Sequence, residues 1–140
     1  MKIFLDANMI VDFLDKPNYD NNIAIEVLRI LKENKSNIFV SPTTFAITFY
    51  LFSKRNKNLK NVNATLKEFF RQFTFTTEDN IVMKKVFASS FSDLEDALQY
   101  YSAKASGIDL IITKNKKDFI NAQGIAILHP LEYIEMYYSY

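Results

Sequence analysis

The feature that most constrains the fold is a series of short apolar runs separated by stretches with helical periodicity. The runs predicted as strands are residues 2–5, 37–40, 73–76, 109–113 and 126–128. The segments between them repeat apolar side chains at intervals of three and four residues, which is typical of helices that pack along one face. Strands that alternate with helices favour a parallel sheet covered on both sides. We therefore expect an α/β fold, a three-layer α/β/α sandwich with a central, mostly parallel sheet.

Local signals predict where some of the helices begin and end. Ser41 followed by Pro42 is typical of a helix start, since Ser caps the free amides and Pro fits the first turn. Ser92 and Glu95 have the spacing of a capping box, in which each side chain satisfies a free amide of the other. The helix that this box opens is expected to end at Gly107, which readily adopts a left-handed cap.

The length, charge balance and composition of the chain exclude several classes of protein. The chain has 140 residues, which suits one domain spanning residues 1–140. Its 17 Lys and Arg residues nearly balance 16 Asp and Glu residues, so bulk charge predicts no strong attraction to nucleic acid or membrane. It has no Cys, which excludes disulfides, zinc–thiolate sites and Cys nucleophiles. No apolar stretch approaches the ~20 residues of a spanning helix, so we expect a soluble, cytoplasmic protein with no membrane partner.

Several acidic and amide side chains follow the predicted strands. Asp6 stands at the carboxyl end of the first strand, and Asn115 and Asp118 follow the fourth. Asp93 and Asp96 are three residues apart, so they share one face of a helix that begins at the same edge of the sheet. Ligands of open parallel sheets bind beyond this edge. We therefore expect these side chains to meet in one crevice.

A cation would stabilise a crevice lined by carboxylates, because neighbouring carboxylates without one repel each other and resist ionisation. Oxygen ligands suit Mg²⁺ or Mn²⁺ better than zinc. A bound divalent ion can hold phosphate oxygens and orient a water for attack on phosphorus. This pattern favours phosphodiester hydrolysis.

Each acid also has a structural interpretation that the sequence leaves open. Asp93 and Asp96 lie near a helix start, where acids are favoured by the helix dipole alone. Asp6 could cap the helix that follows it, and Asp118 could close a turn. The single His129 offers no His cluster, so a structural role is expected for it.

Basic side chains are candidates for holding RNA phosphates, although such runs are usually only solvated loops. They occur in one predicted loop and beside the acidic crevice. The candidates are Lys54, Arg55, Lys57, Lys114, Lys116 and Lys117.

Four segments, in order along nearly the whole chain, resemble the PIN-domain family, to which toxin ribonucleases of the VapC type belong. They are residues 4–10 (FLDANMI), 40–46 (VSPTTFA), 93–99 (DLEDALQ) and 113–119 (TKNKKDF). The first resembles the family's opening strand with its metal-binding acid, and the second the entry to its third helix. The third resembles the helix that bears another metal-binding acid, and the fourth the closing motif after the fourth strand.

This resemblance implies a metal-dependent ribonuclease, expected to be the toxin of a toxin–antitoxin pair. The metal ligands would be Asp6 and Asp96 with Asp93 beside them, and Asp118 would join them as a catalytic acid. Supporting polar groups would come from Asn8, Thr113 and Asn115. The implied cofactor is Mg²⁺ or Mn²⁺, and the implied partners are RNA, an antitoxin protein and a second copy of the chain in a homodimer.

One position departs from the family pattern. Where the family usually has a Glu in its third helix, this chain has Ile47, and no Asp or Glu occurs between Glu33 and Glu68. Loss of this ligand should weaken cation binding. The alternative hypothesis is therefore a weak or inactive PIN-like module that binds RNA or a protein partner. A receiver-like signalling domain is disfavoured, because the second strand ends in Ser41 and not in an acid.

Overall fold

The fold alternates strands and helices along the chain in a computed structural model that describes residues 1–119 and 123–139. The strands are β1 Lys2–Leu5, β2 Asn37–Val40, β3 Thr74–Phe75, β4 Leu110–Ile112 and β5 Ala126–Leu128. The helices are α1 Ala7–Leu14, α2 Tyr19–Glu33, α3 Pro42–Arg55, α4 Leu59–Phe70, α5 Asn80–Phe87, α6 Leu94–Ala105 and α7 Pro130–Tyr138. A short 3-10 helix, Lys116–Phe119, follows β4.

The described strands form one parallel sheet in the order β3-β2-β1-β4-β5. The central strand is β1, in which Phe4 pairs with Phe39 of β2 and with Ile111 of β4. The last residue of β1, Leu5, pairs with Ile112. The residues that follow β1 and β4 therefore leave the sheet side by side at its carboxyl edge.

The two faces of the sheet bury separate cores, because successive side chains of a strand point to opposite sides. Ile3 and Leu5 of β1 face the larger core, which is packed by α1, α2 and α4. Phe4, between them, faces a second core that includes Val82 of α5 and Ala97 of α6. Helical layers thus cover both faces, which confirms the predicted three-layer α/β/α sandwich.

Two helices begin at other residues than the sequence predicts, because Asp6 and Asp93 are their N-caps. The predicted capping box at Ser92 is wrong: the N-cap is Asp93, whose carboxylate accepts the amides of Glu95 and Asp96. The sequence predicts the first helix from Met9 to Leu14, whereas α1 begins two residues earlier, at Ala7, directly after its N-cap Asp6. The expected end of α6 is confirmed, since Gly107 follows the helix with a φ of 71°. None of the described helices is long and apolar enough to cross a membrane.

Candidate active site

Asp6 is the buried centre of the carboxyl edge. It is the N-cap of α1, and its Oδ1 accepts the backbone N–H of Ala7 at 2.7 Å. Its Oδ2 accepts the hydroxyl of Thr113, just beyond β4, at 2.6 Å. Only 4% of Asp6 is exposed, and Thr113 is fully buried. The carboxylate therefore joins the ends of two neighbouring strands.

Gln99 also lies against Asp6, and the sequence analysis missed it. This buried side chain of α6 accepts the Ala7 N–H through Oε1 at 3.4 Å, and its proximity to Asp6 lowers the pKa of that carboxyl. It stands three residues after Asp96, on the same helical face. A polar residue on an otherwise buried helix face was the signal that could have identified it.

Burial raises the pKa of Asp6 above its usual value, because the charged form loses hydration. Hydrogen bonds from Thr113, Ala7 and Gln99 oppose this shift, while the negative charge of Asp118 adds to it. The Ala7 amide and the Thr113 hydroxyl therefore hold the carboxylate in place, and no cation among the described residues lowers its pKa.

Three more acids lie at the start of α6: the N-cap Asp93, and Glu95 and Asp96 in the first turn. The pKa of Asp96 is raised to about 7, first by burial and then by the negative charges of Asp93, Asp118, Asp6 and Glu95, in that order. The pKa of Glu95 is also raised, first by burial and then by Asp93 and Asp6. The structure thus brings the predicted acids Asp6, Asp93, Asp96 and Asp118 within electrostatic reach of one another.

Glu95 is a second residue that the sequence analysis did not assign to the site. It lies beside Asp96 in the first turn of α6, and its charge is coupled to Asp6. The sequence pattern predicted Glu95 as half of a capping box with Ser92, so its proximity to Asp6 was not considered.

Within residues 1–119 and 123–139, no three His, Cys, Asp or Glu side chains are grouped to hold a metal ion by themselves.

The predicted structural role of Asp93 is observed directly. Its Oδ1 accepts the amide of Glu95 at 2.8 Å and that of Asp96 at 3.3 Å. This capping uses one carboxylate oxygen. The predicted supporting residues differ in their contacts with Asp6. Thr113 donates its hydroxyl to Asp6 and accepts the backbone N–H of Asn115 at 3.1 Å. Asn8 is exposed in the first turn of α1.

The start of α3 presents hydroxyl groups and no carboxylate of its own. Ser41 caps the helix and lies 2.9 Å from the hydroxyl of Thr44, and Thr48 donates to the Thr44 carbonyl at 2.8 Å. Ile47 is half-buried in this helix. Glu78 reaches the first turn from outside α3, but it is engaged by the amide and hydroxyl of Thr43.

The candidate RNA-binding cations occupy different electrostatic settings. Several are paired with acids: Lys114 with Asp12 at 2.6 Å and Asp20 at 3.6 Å, Lys116 with Glu132 at 2.9 Å, and Arg55 with Asp15 at 3.1 Å. Lys54 lies over the ring of Tyr50 at 4.4 Å. Lys57 and Lys117 are exposed.

His129 has the structural role that the sequence predicts. It caps α7, and its Nδ1 accepts the backbone N–H of Leu131 at 3.1 Å.

Comparisons with known proteins agree with this fold. A family model described as PIN domain matches residues 2–117. Ribonuclease VapC1 of Aquifex aeolicus is 29% identical over 139 residues, covering 96% of this chain and 94% of that protein.

Solved structures superpose along most of the chain. VapBC-1 from nontypeable Haemophilus influenzae has a TM-score of 0.71 at 13% identity and covers 94% of this chain and 99% of that one. VapBC2 from Rickettsia felis, solved with a DNA fragment from its promoter, has a TM-score of 0.68 at 19% identity, covering 92% and 98%. At these identities the likeness establishes the fold.

Proposed function

Because the chain belongs to the PIN domain family, we propose that it is a ribonuclease that hydrolyses RNA phosphodiester bonds with Mg²⁺ or Mn²⁺. The observation that carries the proposal is the electrostatic interaction of Asp6 with Glu95 and Asp96 of α6 at the carboxyl edge, where the pKa of Asp96 is about 7. Two distant parts of the chain thereby contribute negative charge to one edge of the sheet. The relative named ribonuclease VapC1 supports the same reaction.

The donor set fits a hard divalent cation. All the candidate ligands are carboxylate oxygens, and Mg²⁺ is commonly held by one or two carboxylates together with waters and substrate phosphates. The raised pKa values of Asp6 and Asp96 reflect a shortage of positive charge at this place. We assign Asp6 and Asp96 as ligands with Asp93 beside them, since the second Oδ of Asp93 is not used in capping.

Each residue then has a defined task. Thr113 and the Ala7 amide hold the Asp6 carboxylate in orientation. Asp96 loses its proton near neutral pH, so it becomes a full negative charge when a cation is available. Asp118 adds negative charge from the 3-10 helix. The chemistry that a bound divalent ion supplies here is stabilisation of phosphate charge and orientation of the attacking water.

The supporting roles extend to further residues. Asn8, exposed in the first turn of α1, and Asn115, next to Thr113, are proposed polar contacts for substrate or for metal-bound water. The exposed Lys57 and Lys117, with Lys54, are the better placed of the predicted phosphate-binding cations, because Arg55, Lys114 and Lys116 are each paired with an acid.

The biological setting is part of the proposal. Structural neighbours are VapBC assemblies and a toxin–antitoxin complex from Klebsiella pneumoniae. We propose that this chain is the toxin of such a pair, that a partner antitoxin restrains it, and that it acts in the cytoplasm as a homodimer of one-domain chains.

The competing proposal is a PIN-like module that binds RNA or protein without cutting. The presence of Ile47 favours it, because α3 then contributes no acid to the crevice. In that case the acids of α6 and Asp6 would not bind a cation tightly.

Cleavage of RNA in Mn²⁺ tests the first proposal. We expect the double variant Asp6→Asn/Asp96→Asn to lose at least about 100-fold in rate, because a catalytic cation supplies several kcal/mol of transition-state stabilisation. The matched control is Glu68→Gln/Glu135→Gln, which removes two exposed acids on α4 and α7 and should cut like the parent protein. Equal cleavage by both double variants, or none by the parent across several RNAs, contradicts a nuclease.

Titration calorimetry with Mn²⁺ separates the nuclease from the binding module. Binding by the parent that disappears in Asp6→Asn/Asp96→Asn supports the nuclease. RNA binding that persists without any Mn²⁺ binding supports the module.

A further inference from the structure

Lys114 links the segment after β4 to two helices on one side of the site. Its Nζ lies 2.6 Å from Asp12 Oδ2 in α1 and 3.6 Å from Asp20 Oδ2 in α2. The side chain of Asp12 is only 15% exposed and that of Lys114 30%. Partly buried charges need a partner, because removal of one leaves the other poorly hydrated. The ion pair between Lys114 and Asp12 is therefore a stable structural contact and not a transient ion pair at the surface.

These contacts close a ring around Asp6. Asp6 caps the start of α1, and Asp12 lies in the same helix. Asp12 binds Lys114, whose chain neighbour Thr113 donates its hydroxyl to Asp6. The far end of α1 is also fixed, because the Asn21 amide donates to the carbonyls of Asp12, Phe13 and Asp15 at 3.0, 3.0 and 3.3 Å.

We propose that the Asp12–Lys114 ion pair is a positioning device for Asp6, which holds the Thr113 hydroxyl on the carboxylate by tying the end of β4 to α1. Lys114 is then a positioning residue and not a phosphate-binding one. The proposal rests on the proposed function, since it concerns the carboxylate assigned to the cation. A site of this kind depends on contacts beyond the ligands that hold each ligand within a fraction of an ångström.

The rival role of Lys114 makes opposite predictions. If Lys114 held RNA phosphates, removal of Asp12 would leave its ammonium group with only the longer contact to Asp20 and would tighten RNA binding. Loss of Lys114 itself would raise KM and lower the slope of log affinity against log salt by about one. If the pair positions Asp6, removal of either partner weakens the same carboxylate.

The experiment compares Asp12→Asn, Lys114→Met and the double variant in the full chain. We expect each single variant to lower kcat and Mn²⁺ affinity about 10-fold, within the range found for residues that orient metal ligands. The double variant should be no worse than either single one, because both disrupt one contact. KM for RNA and its salt dependence should stay at parent values.

The matched control is Glu33→Gln, which removes the acid from another 2.6 Å ion pair, with Arg29 on α2, away from the site. It should leave kcat and Mn²⁺ affinity unchanged, and circular dichroism should show that all variants are folded. Lys114→Arg keeps the ion pair and should retain the parent affinity for Mn²⁺. It shows that a loss in Lys114→Met comes from the missing ion pair and not from misfolding.

The outcomes distinguish failure of the positioning role from failure of the proposed nuclease activity. Absence of both Mn²⁺ binding and cleavage in the parent defeats the proposed function. If the parent binds Mn²⁺ but Asp12→Asn binds it equally well, or binds RNA more tightly, the positioning role is overturned and the nuclease stands. A shared loss of Mn²⁺ affinity in the two single variants supports the ion pair as a positioning device.

Discussion

Two neighbouring parts of the same sheet edge are built from different chemistry. The acidic half consists of Asp6, Thr113 and the first turn of α6, and the hydroxyl half consists of Ser41, Thr44 and Thr48 at the start of α3. In the acidic half, burial and neighbouring negative charges raise the pKa values of Asp6 and Asp96. In the hydroxyl half the polar groups satisfy one another at 2.8–3.0 Å.

This difference indicates that the acidic half is the one expected to bind a cation. Hydroxyls that are already paired gain little from a cation, whereas crowded carboxylates gain from one because it relieves their mutual repulsion. The half-buried Ile47 continues this contrast, since it places an apolar side chain where the PIN family usually has an acid. Any catalytic site of this chain is therefore expected to be built from one side of the edge.

The strongest test of this contrast removes one buried hydroxyl from each half. Thr113→Val should lower the free energy of unfolding by about 1–3 kcal/mol, because it leaves a buried carboxylate oxygen without its donor. It should also lower RNA cleavage about 10- to 100-fold, as for other residues that orient a metal ligand. Steady-state kinetics and chemical denaturation measure the two effects.

The matched variant in the hydroxyl half is Thr48→Val, whose hydroxyl is also buried but donates to a carbonyl of α3. It should cost about 1 kcal/mol of stability and leave cleavage unchanged. If the two variants lose cleavage equally, the two halves contribute equally and the contrast is wrong.

A smaller effect is expected when an acid is added to the hydroxyl half. Ile47→Glu should raise Mn²⁺ affinity about 10-fold, because the number of charged ligands tunes the affinity of a divalent site. Ile47→Gln has nearly the same shape without the charge and should show no gain. Calorimetry with Mn²⁺ measures both, and equal affinities would mean that position 47 does not face the crevice.

The smallest expected effect is the pH dependence of stability in the metal-free protein. Asp96 has a pKa of about 7 in the folded chain against an ordinary value of 3.8. Between these values the folded state keeps a proton that the unfolded state has lost, so stability falls as pH rises and levels off above about 7. Asp96→Asn should flatten this decline in thermal unfolding.

Added Mn²⁺ should reverse the trend, because the cation binds the deprotonated acids and its affinity rises with pH up to about 7. A parent stability that rises from pH 4 to 7 without metal would contradict the raised pKa of Asp96.

The sequence alone predicted the three-layer fold and the edge of the sheet at which the candidate active site lies. The apolar runs around Phe4, Phe39 and Ile111 indicate strands, because they are too short for helices and rich in β-branched and aromatic residues. The position of Asp6 directly after the first strand placed it at the carboxyl edge, since parallel strands end together there. The absence of an acid in α3 was likewise evident from the sequence.

Only the tertiary structure decided which side chains touch. Periodicity assigns a residue to a face of a helix but gives no distance to another element, so neither Gln99 beside Asp6 nor Glu95 within reach of it was foreseen. The partner of Lys114 depended on the packing of α1 against the end of β4, which converted a predicted RNA-binding cation into half of an ion pair. Strand order supplies the physical reason: β1 lies between β2 and β4, and this choice of neighbours is made by the whole core and not by any local run of residues.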